Sequence, residues 1–302
     1  MKTPLFFASM SDFPITELRP NHEHWPKLLS QISDPPKQLY CRGNLNLLNK
    51  ECFAVVGTRK LTNYGKDAAQ HIVRGLANSG FVIVSGLALG IDAVAHQTTL
   101  DCGGATIAVL GGGVSDNSIG PITNLPLAKN ILKNGGLLIS EYSDKETIFA
   151  TNFAARDRII SGLTKGVLVI EAPEKSGALI TARCALDQNR DVFAIPGNIF
   201  SSNSVGPNTL VKKGAKLVTS VQDILDEYGS NLNLFQEENS SLSTKDPAQN
   251  VILDILNEHD ILSMDEMIRK SNLEASAVAV SLSMLEIRGI IKNLGNGKYR
   301  KV

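Results

Sequence analysis

From Phe53 onward, short apolar runs alternate with longer amphipathic stretches. The runs are FAVVG (53–57), VIVSG (82–86), TIAVLGG (106–112), GLLISEY (136–142), GVLVIEA (166–172), DVFAIPG (191–197) and AKLVTS (215–220). Their hydrophobicity is continuous rather than alternating, which marks strands covered on both faces, as in a parallel sheet between helix layers. Between them DAAQHIVRGLANSG, the region after GIDAVAH, LAKNILKNG and ALITARCALDQN read as helices. Several close at glycine, where the chain must turn left-handed. The alternation predicts an α/β fold over residues 51–229, a Rossmann-like, doubly wound and mostly parallel sheet. Residues 1–50 are expected as an N-terminal extension packing on its core.

The periodicity lapses over 230–249, a stretch rich in Ser, Asn, Glu and Gln that reads as a linker. Beyond it, VILDILNEHD, SMDEMIRKSN and EASAVAVSLSMLEIRG give three short helical patterns, the second opened by a capping box at Ser263 and Glu266. IIKNLGNGKYRKV then reads as two strands joined around Gly295–Gly297. Three helices and a hairpin predict a small C-terminal winged-helix-like domain over 250–302.

Composition narrows the chemistry mostly by exclusion. With 30 Lys+Arg against 30 Asp+Glu, bulk charge names no polyanionic partner, so any such site must be a local concentration of cations and backbone donors. Cys41, Cys52, Cys102 and Cys184 are scattered without a C-x-x-C pair and read as reduced thiols. No H-E-x-x-H pair or Cys/His knuckle occurs, and no metal or other cofactor is expected. The N-terminal apolar run is too short for a secretory signal and no 18-residue apolar stretch occurs, so a soluble, cytoplasmic protein with no membrane partner is expected.

Candidate chemistry gathers in loops that follow strands, where an open α/β sheet binds ligands. After the first run, Gly57, Thr58, Arg59 and Lys60 form a turn with two cations. In SGLALGIDAVAHQ, Ser85 and Gly86 open a loop the backbone can approach closely, and Asp92 and His96 lie one helical turn apart. That pair lacks a third metal ligand, and a structural hydrogen bond holding the loop is the plainer reading. Gly112 sits in a GGG after a strand, but G-x-G-x-x-G and a ribose-binding acid are absent, which disfavours NAD. In NFAARDRIISGL, Phe153 precedes Arg156 and Arg158 around Asp157, pairing an aromatic with guanidinium groups as single-stranded nucleic acid requires. An Arg–Asp–Arg ion-pair cluster fixing one helix is the structural alternative. Ser176 and Gly177 precede a helix carrying Thr181 and Arg183, a second anion-compatible turn.

Taken in order, HWPKLLSQISDPPKQLYCRGN, VVGTRK, SGLALGIDAVAH, VLGGG, FAARDRIISGL, SGALITAR, VFAIPG and SVGPNTLVKKGA resemble the DprA/Smf (DNA-processing protein A) family over roughly residues 24–220. The resemblance implies a non-catalytic protein that binds single-stranded DNA, protects it, forms a homodimer and helps load the RecA recombinase in natural transformation. It implies Arg59, Phe153, Arg156 and Arg158 as DNA contacts, with Gly57, Gly86 and Ser176 shaping the same pocket. The family's R-N-R is R-D-R here, its G-S-R is G-T-R, and the Tyr-Pro expected after GGG is replaced by SDNSIGPITN. The N-terminal helical domain of many members is not expected here, as in the shorter members that the sequence resembles.

Two rivals remain. One is a nucleotide-hydrolysing enzyme of the related LOG-type Rossmann group, for which Glu141 and Glu171 end strands at the ligand edge but P-G-G-x-G-T-x-x-E is absent. A structural role for both glutamates, orienting nearby arginines, is the alternative. The other rival is an interaction scaffold. In the C-terminal module Arg288 is the only basic residue of the third helix, which favours protein interaction or self-association over duplex reading. Lys292, Lys298, Arg300 and Lys301 are expected on a solvated wing.

Overall fold

The computed structural model describes residues 13–146, 149–228, 246–259, 261–287 and 290–301. It divides into two compact units, Met1–Asn233 and Leu234–Val302.

In the first unit the chain runs β1 (Ile15–Leu18), β2 (Leu39–Gly43), β3 (Cys52–Val56), α1 (Asn63–Asn78), β4 (Val82–Ser85), α2 (Ile91–Asp101), β5 (Thr106–Leu110) and α3 (Leu125–Lys133). It continues through β6 (Leu137–Ser140), α4 (Ala150–Gly162), β7 (Gly166–Val169), α5 (Gly177–Asp187), β8 (Asp191–Ala194), α6 (Val205–Lys212), β9 (Lys216–Leu217) and α7 (Gln222–Leu225). Each apolar run of the sequence holds a strand. The nine strands form one sheet in the order β1-β2-β6-β5-β4-β3-β7-β8-β9. Neighbours from β6 through β9 pair in parallel, while β1–β2 and β2–β6 are antiparallel. The N-terminal extension therefore lengthens the sheet itself as well as packing on it.

The uninterrupted hydrophobicity of the strands follows from burial on both faces. In β3, Ala54 and Val56 join a core with Ile159 and Ile160 of α4 and Ala182 and Ala185 of α5. Phe53 and Val55 point the other way, into a core with Ile72 and Leu76 of α1 and Ile91 of α2. A third cluster seats Ile131 and Leu132 of α3 on Ala108 and Leu138. Helix α1 begins four residues before the apolar pattern suggests, because Thr62 caps it by accepting from the Gly65 amide. Burial in these cores pushes the Cys41 and Cys52 thiols up to about 12, the behaviour of inert packing residues.

Asp92 and His96 part company. The Asp92 carboxylate accepts from the Gly86 and Ala88 amides (3.1 and 3.4 Å) and holds that loop. His96 meets the Thr106 hydroxyl at 2.7 Å, and Thr106 donates to the Ile83 carbonyl, so His96 is the donor through Nδ1. Burial and then the Arg156 charge lower His96 to about 3, leaving it neutral. Among the described residues no group of three potential metal ligands forms, and no helix is long and apolar enough to cross a membrane.

The second unit carries α8 (Pro247–Glu258), β10 (Leu262–Ser263), α9 (Met264–Ser271), α10 (Ala275–Ile287), β11 (Ile291–Gly295) and β12 (Lys298–Lys301). The strands form a sheet in the order β10-β12-β11, and Leu253, Met267, Leu282 and Leu285 pack in its core. The Ser263–Glu266 capping box forms as the spacing predicts. The stretch read as a linker lies mostly outside the described residues; its last positions open α8, where Asp246 caps the helix and Pro247 occupies the first turn. Arg288 also lies outside the described residues.

Candidate functional site

The sheet order reverses between β3 and β7, the crevice where open α/β sheets place ligands. A 640 Å³ pocket opens there. The turn after β3 forms one wall, and the turn after β7 with the start of α5 forms another.

The β3 turn is held from three sides. The Thr58 amide donates to the Glu171 carbonyl (2.7 Å), its carbonyl accepts from the Ile91 amide (3.2 Å), and its hydroxyl accepts from the Lys60 amide (3.2 Å). Gly57 is required, since a Cβ would stand 2.5 Å from Cγ1 of Ile91. With the backbone fixed, Arg59 and Lys60 are exposed on the pocket wall. Opposite, Ser176 caps α5 by accepting from the Ala178 amide (3.3 Å), and exposed Lys175 and Gly177 flank it.

Helix α4 supplies the floor. Phe153, Arg156, Asp157 and Ile160 recur at i, i+3, i+4 and i+7 and all line the pocket. The half-buried Phe153 ring lies on Gly111, where a Cβ would stand 2.8 Å from Cδ1. Arg156 is only 5% exposed. Its guanidinium donates to the carbonyls of Gly86 (2.6 Å) and Val109 (2.5 Å) and to Asp157 (3.1 Å), and it fills the space where Gly86 lacks a side chain. Arg156 thus ties α4 to the ends of β4 and β5. Arg158, two positions on, points to the other side of the helix and bonds Asp34 (3.0 Å) and Glu141 (2.9 Å). It anchors the N-terminal segment and does not line the pocket.

Burial pushes the Asp157 carboxyl up to about 7; Arg156 pulls it down, and the nearby Asp92 charge pushes it up again. Asp92 is likewise raised by burial and opposed by Arg156. One buried guanidinium therefore serves two carboxyls. The Thr181 hydroxyl also bonds Asp157.

Of the residues singled out in the sequence, Gly57, Thr58, Arg59, Lys60, Phe153, Arg156, Ser176, Gly177 and Thr181 meet around this pocket. Ser85 instead donates to the Val55 carbonyl (2.7 Å), Gly86 receives Arg156, Gly112 is buried beside the Gly111–Phe153 contact, and Arg183 is exposed on α5 outside the lining. The sequence reading missed Lys175, Asp92 and Asn203 as lining residues. Lys175 was legible as a cation beside the Ser176 cap. Asn203 carried no local signal; its amide donates to the Lys60 carbonyl (2.9 Å), joining the β8–α6 loop to the β3 turn. Glu141 orients an arginine, Arg158, as one reading proposed. Glu171 does not: it receives the Thr62 amide (2.9 Å) and hydroxyl (2.6 Å) and holds the start of α1.

The model of the family described as DNA recombination-mediator protein A matches residues 17–229. The chain belongs to this family. A DprA winged helix domain model matches residues 236–297, in agreement with the second unit. Among DprA relatives, protein Smf of Escherichia coli K12 is 38% identical over 296 residues, covering 93% of this chain and 78% of that protein. DNA processing protein DprA of Streptococcus pneumoniae R6 is 46% identical over 204 residues, covering 68% of this chain and 71% of that one. The X-ray structure of the S. pneumoniae DprA superposes with a TM-score of 0.67 at 43% identity, covering 72% and 75% of the two chains. A DprA structure from Helicobacter pylori, which concerns that protein's single-stranded DNA binding mode, superposes with a TM-score of 0.64 at 33% identity, covering 72% of this chain and 97% of that one.

Proposed function

We propose that this chain is a single-stranded DNA-binding recombination mediator acting without catalysis. Three exposed cations, Arg59, Lys60 and Lys175, converge with the half-buried Phe153 ring on one pocket, and that convergence supports single-strand binding above other ligand classes. Cations grip phosphates, an aromatic accepts a base of any identity, and the N-terminus of α5 adds backbone donors. The DNA contacts are Arg59, Lys60, Lys175 and Phe153. Arg156 and Arg158 hold the site in shape instead: Arg156 is buried with its Nε and Nη1 donors on protein acceptors, and Arg158 faces away from the pocket onto Asp34 and Glu141. The hydrolase alternative loses its carboxylates, since Glu141 and Glu171 are both engaged in holding structure.

Kinship with the Smf and DprA proteins supports a role in natural transformation, with the RecA recombinase as partner and the homodimer as working form. For the winged-helix unit, α10 exposes Val280 and Met284. An uncharged face of this kind favours protein contact over duplex reading.

Fluorescence anisotropy of a labelled oligothymidine, at two salt concentrations and with duplex as control, tests the site. Arg59→Ala is expected to weaken binding about 10-fold or more at low salt. It should also flatten the plot of log affinity against log salt by about 0.7, the contribution of one phosphate contact. Affinity and slope equal to the parent's would remove the pocket from consideration.

A further inference from the structure

Ile199 and Phe200 are 80% and 90% exposed, the two most exposed large apolar side chains among the described residues. They form the tip of the loop between β8 and α6. This tip is held in shape: the Asn198 side chain accepts from the Phe200 amide (2.9 Å), and the Ser201 amide donates to the Asn198 carbonyl (3.0 Å). At its base, Asn208 exchanges two hydrogen bonds with Gly197 (3.2 and 3.0 Å), and the half-exposed Tyr64 donates its hydroxyl to the Pro196 carbonyl (2.5 Å). No packing requirement explains an aromatic held outward on a braced loop.

Its neighbours say what it meets. Ser202 and Asn203, on the same loop, line the pocket, and Asn203 is bonded to the Lys60 carbonyl. Only Ser201 separates Phe200 from Ser202, so their Cα atoms lie within about 7 Å. From Ile195 to Val211 the sequence has no charged residue, so a polyanion leaving the pocket here meets no carboxylate of this segment. It meets instead Ser201 and Ser202, whose hydroxyl groups suit phosphate and sugar oxygens. We infer that Phe200 is a second base-stacking platform, which receives the single strand as it leaves the pocket past Lys60 and Asn203. This extends the single-strand reading of the pocket and rests on it. A second ring outside the pocket lengthens the footprint without adding sequence preference, since every base has a stacking face.

The chain has one tryptophan, Trp25, which is buried, so Phe200→Trp places a distinct reporter at the tip. Titrating that variant with oligothymidine of increasing length should quench its emission once the strand is long enough to leave the pocket. In parallel, Phe200→Ala should weaken binding of the long oligonucleotide about 5- to 150-fold while leaving the shortest pocket-filling one unchanged. Arg59→Ala should weaken both. If the parent binds and Arg59→Ala does not, yet Phe200→Ala matches the parent and the emission of the Phe200→Trp variant is unaffected, the platform is wrong and the pocket stands. If no length of oligonucleotide binds the parent, both fall. Should Phe200→Ala change the sedimentation behaviour of the free protein while DNA affinity holds, the tip is a protein contact and the inference is overturned.

Discussion

Arg156→Ala will lower the stability of the α/β unit by about 3–5 kcal/mol, more than any exposed cation of the same pocket. The truncation removes three donors at once. The Gly86 and Val109 carbonyls lose their partner at the ends of β4 and β5. Asp157 and Asp92, both buried, are left without the cation that offsets their proximity. For a unit of this size the loss corresponds to a fall in melting temperature of roughly 6–20 °C. Arg59→Ala, whose side chain is exposed, should melt with the parent. Denaturant unfolding of the two variants separates the roles: Arg156→Ala moves the midpoint with an unchanged slope, and Arg59→Ala moves neither. A variant lacking Arg156 that melts within a degree or two of the parent would return that guanidinium to the pool of free phosphate ligands.

The second large effect concerns protons. In the folded protein the Asp157 carboxyl sits at about 7, above the unfolded value near 3.9. The native state therefore binds more protons than the unfolded state between those limits. The stability tied to this group is complete below the unfolded value and is lost as pH rises through about 7. Asp157→Asn keeps an oxygen for the Arg156 Nε–H and cannot ionise. Between pH 5 and pH 8 the parent should therefore lose about 2–3 kcal/mol relative to the variant. His96 is common to both proteins and cancels, whereas the Asp92 and Asp157 charges interact and the Asp157 charge helps to raise Cys184. The difference therefore reports Asp157 together with its effect on these two neighbours. DNA affinity should follow the same proton, with the parent binding more tightly at pH 6 than at pH 8 and Asp157→Asn nearly level. Parallel melting and binding profiles for parent and variant would refute the assignment.

The strands were legible because β3 through β8 are buried on both faces, and continuous Val/Ile/Leu runs leave little else for them to be. The turn cations were legible from type and position: Arg59 and Lys60 follow a strand directly, where a side chain has nothing to pack against. The two arginines of α4 show where type alone stops. Residues two apart on a helix lie about 200° apart around its axis, so Arg156 and Arg158 were never able to serve one pocket. Which of the two turned inward depended on the carbonyls of Gly86 and Val109, 70 and 47 residues away. Glu171 misled for a similar reason, since its partner Thr62 lies 109 residues earlier. Asn203 and the base of the Phe200 loop depend on tertiary pairing, with Lys60 and Tyr64, that no local pattern announces.

The sheet order also sets a schedule for synthesis. β3 finds β4 within about thirty residues, but its other neighbour, β7, arrives more than a hundred residues later. Until then the middle of the finished sheet is an open edge, with the backbone N–H and C=O groups of the apolar run Phe53–Val56 unpaired on one side. A nascent chain ending after β6 is expected to be the most aggregation-prone intermediate of this protein. The pocket between the β3 and β7 turns, having one wall on each side of that late seam, is among the last features to exist.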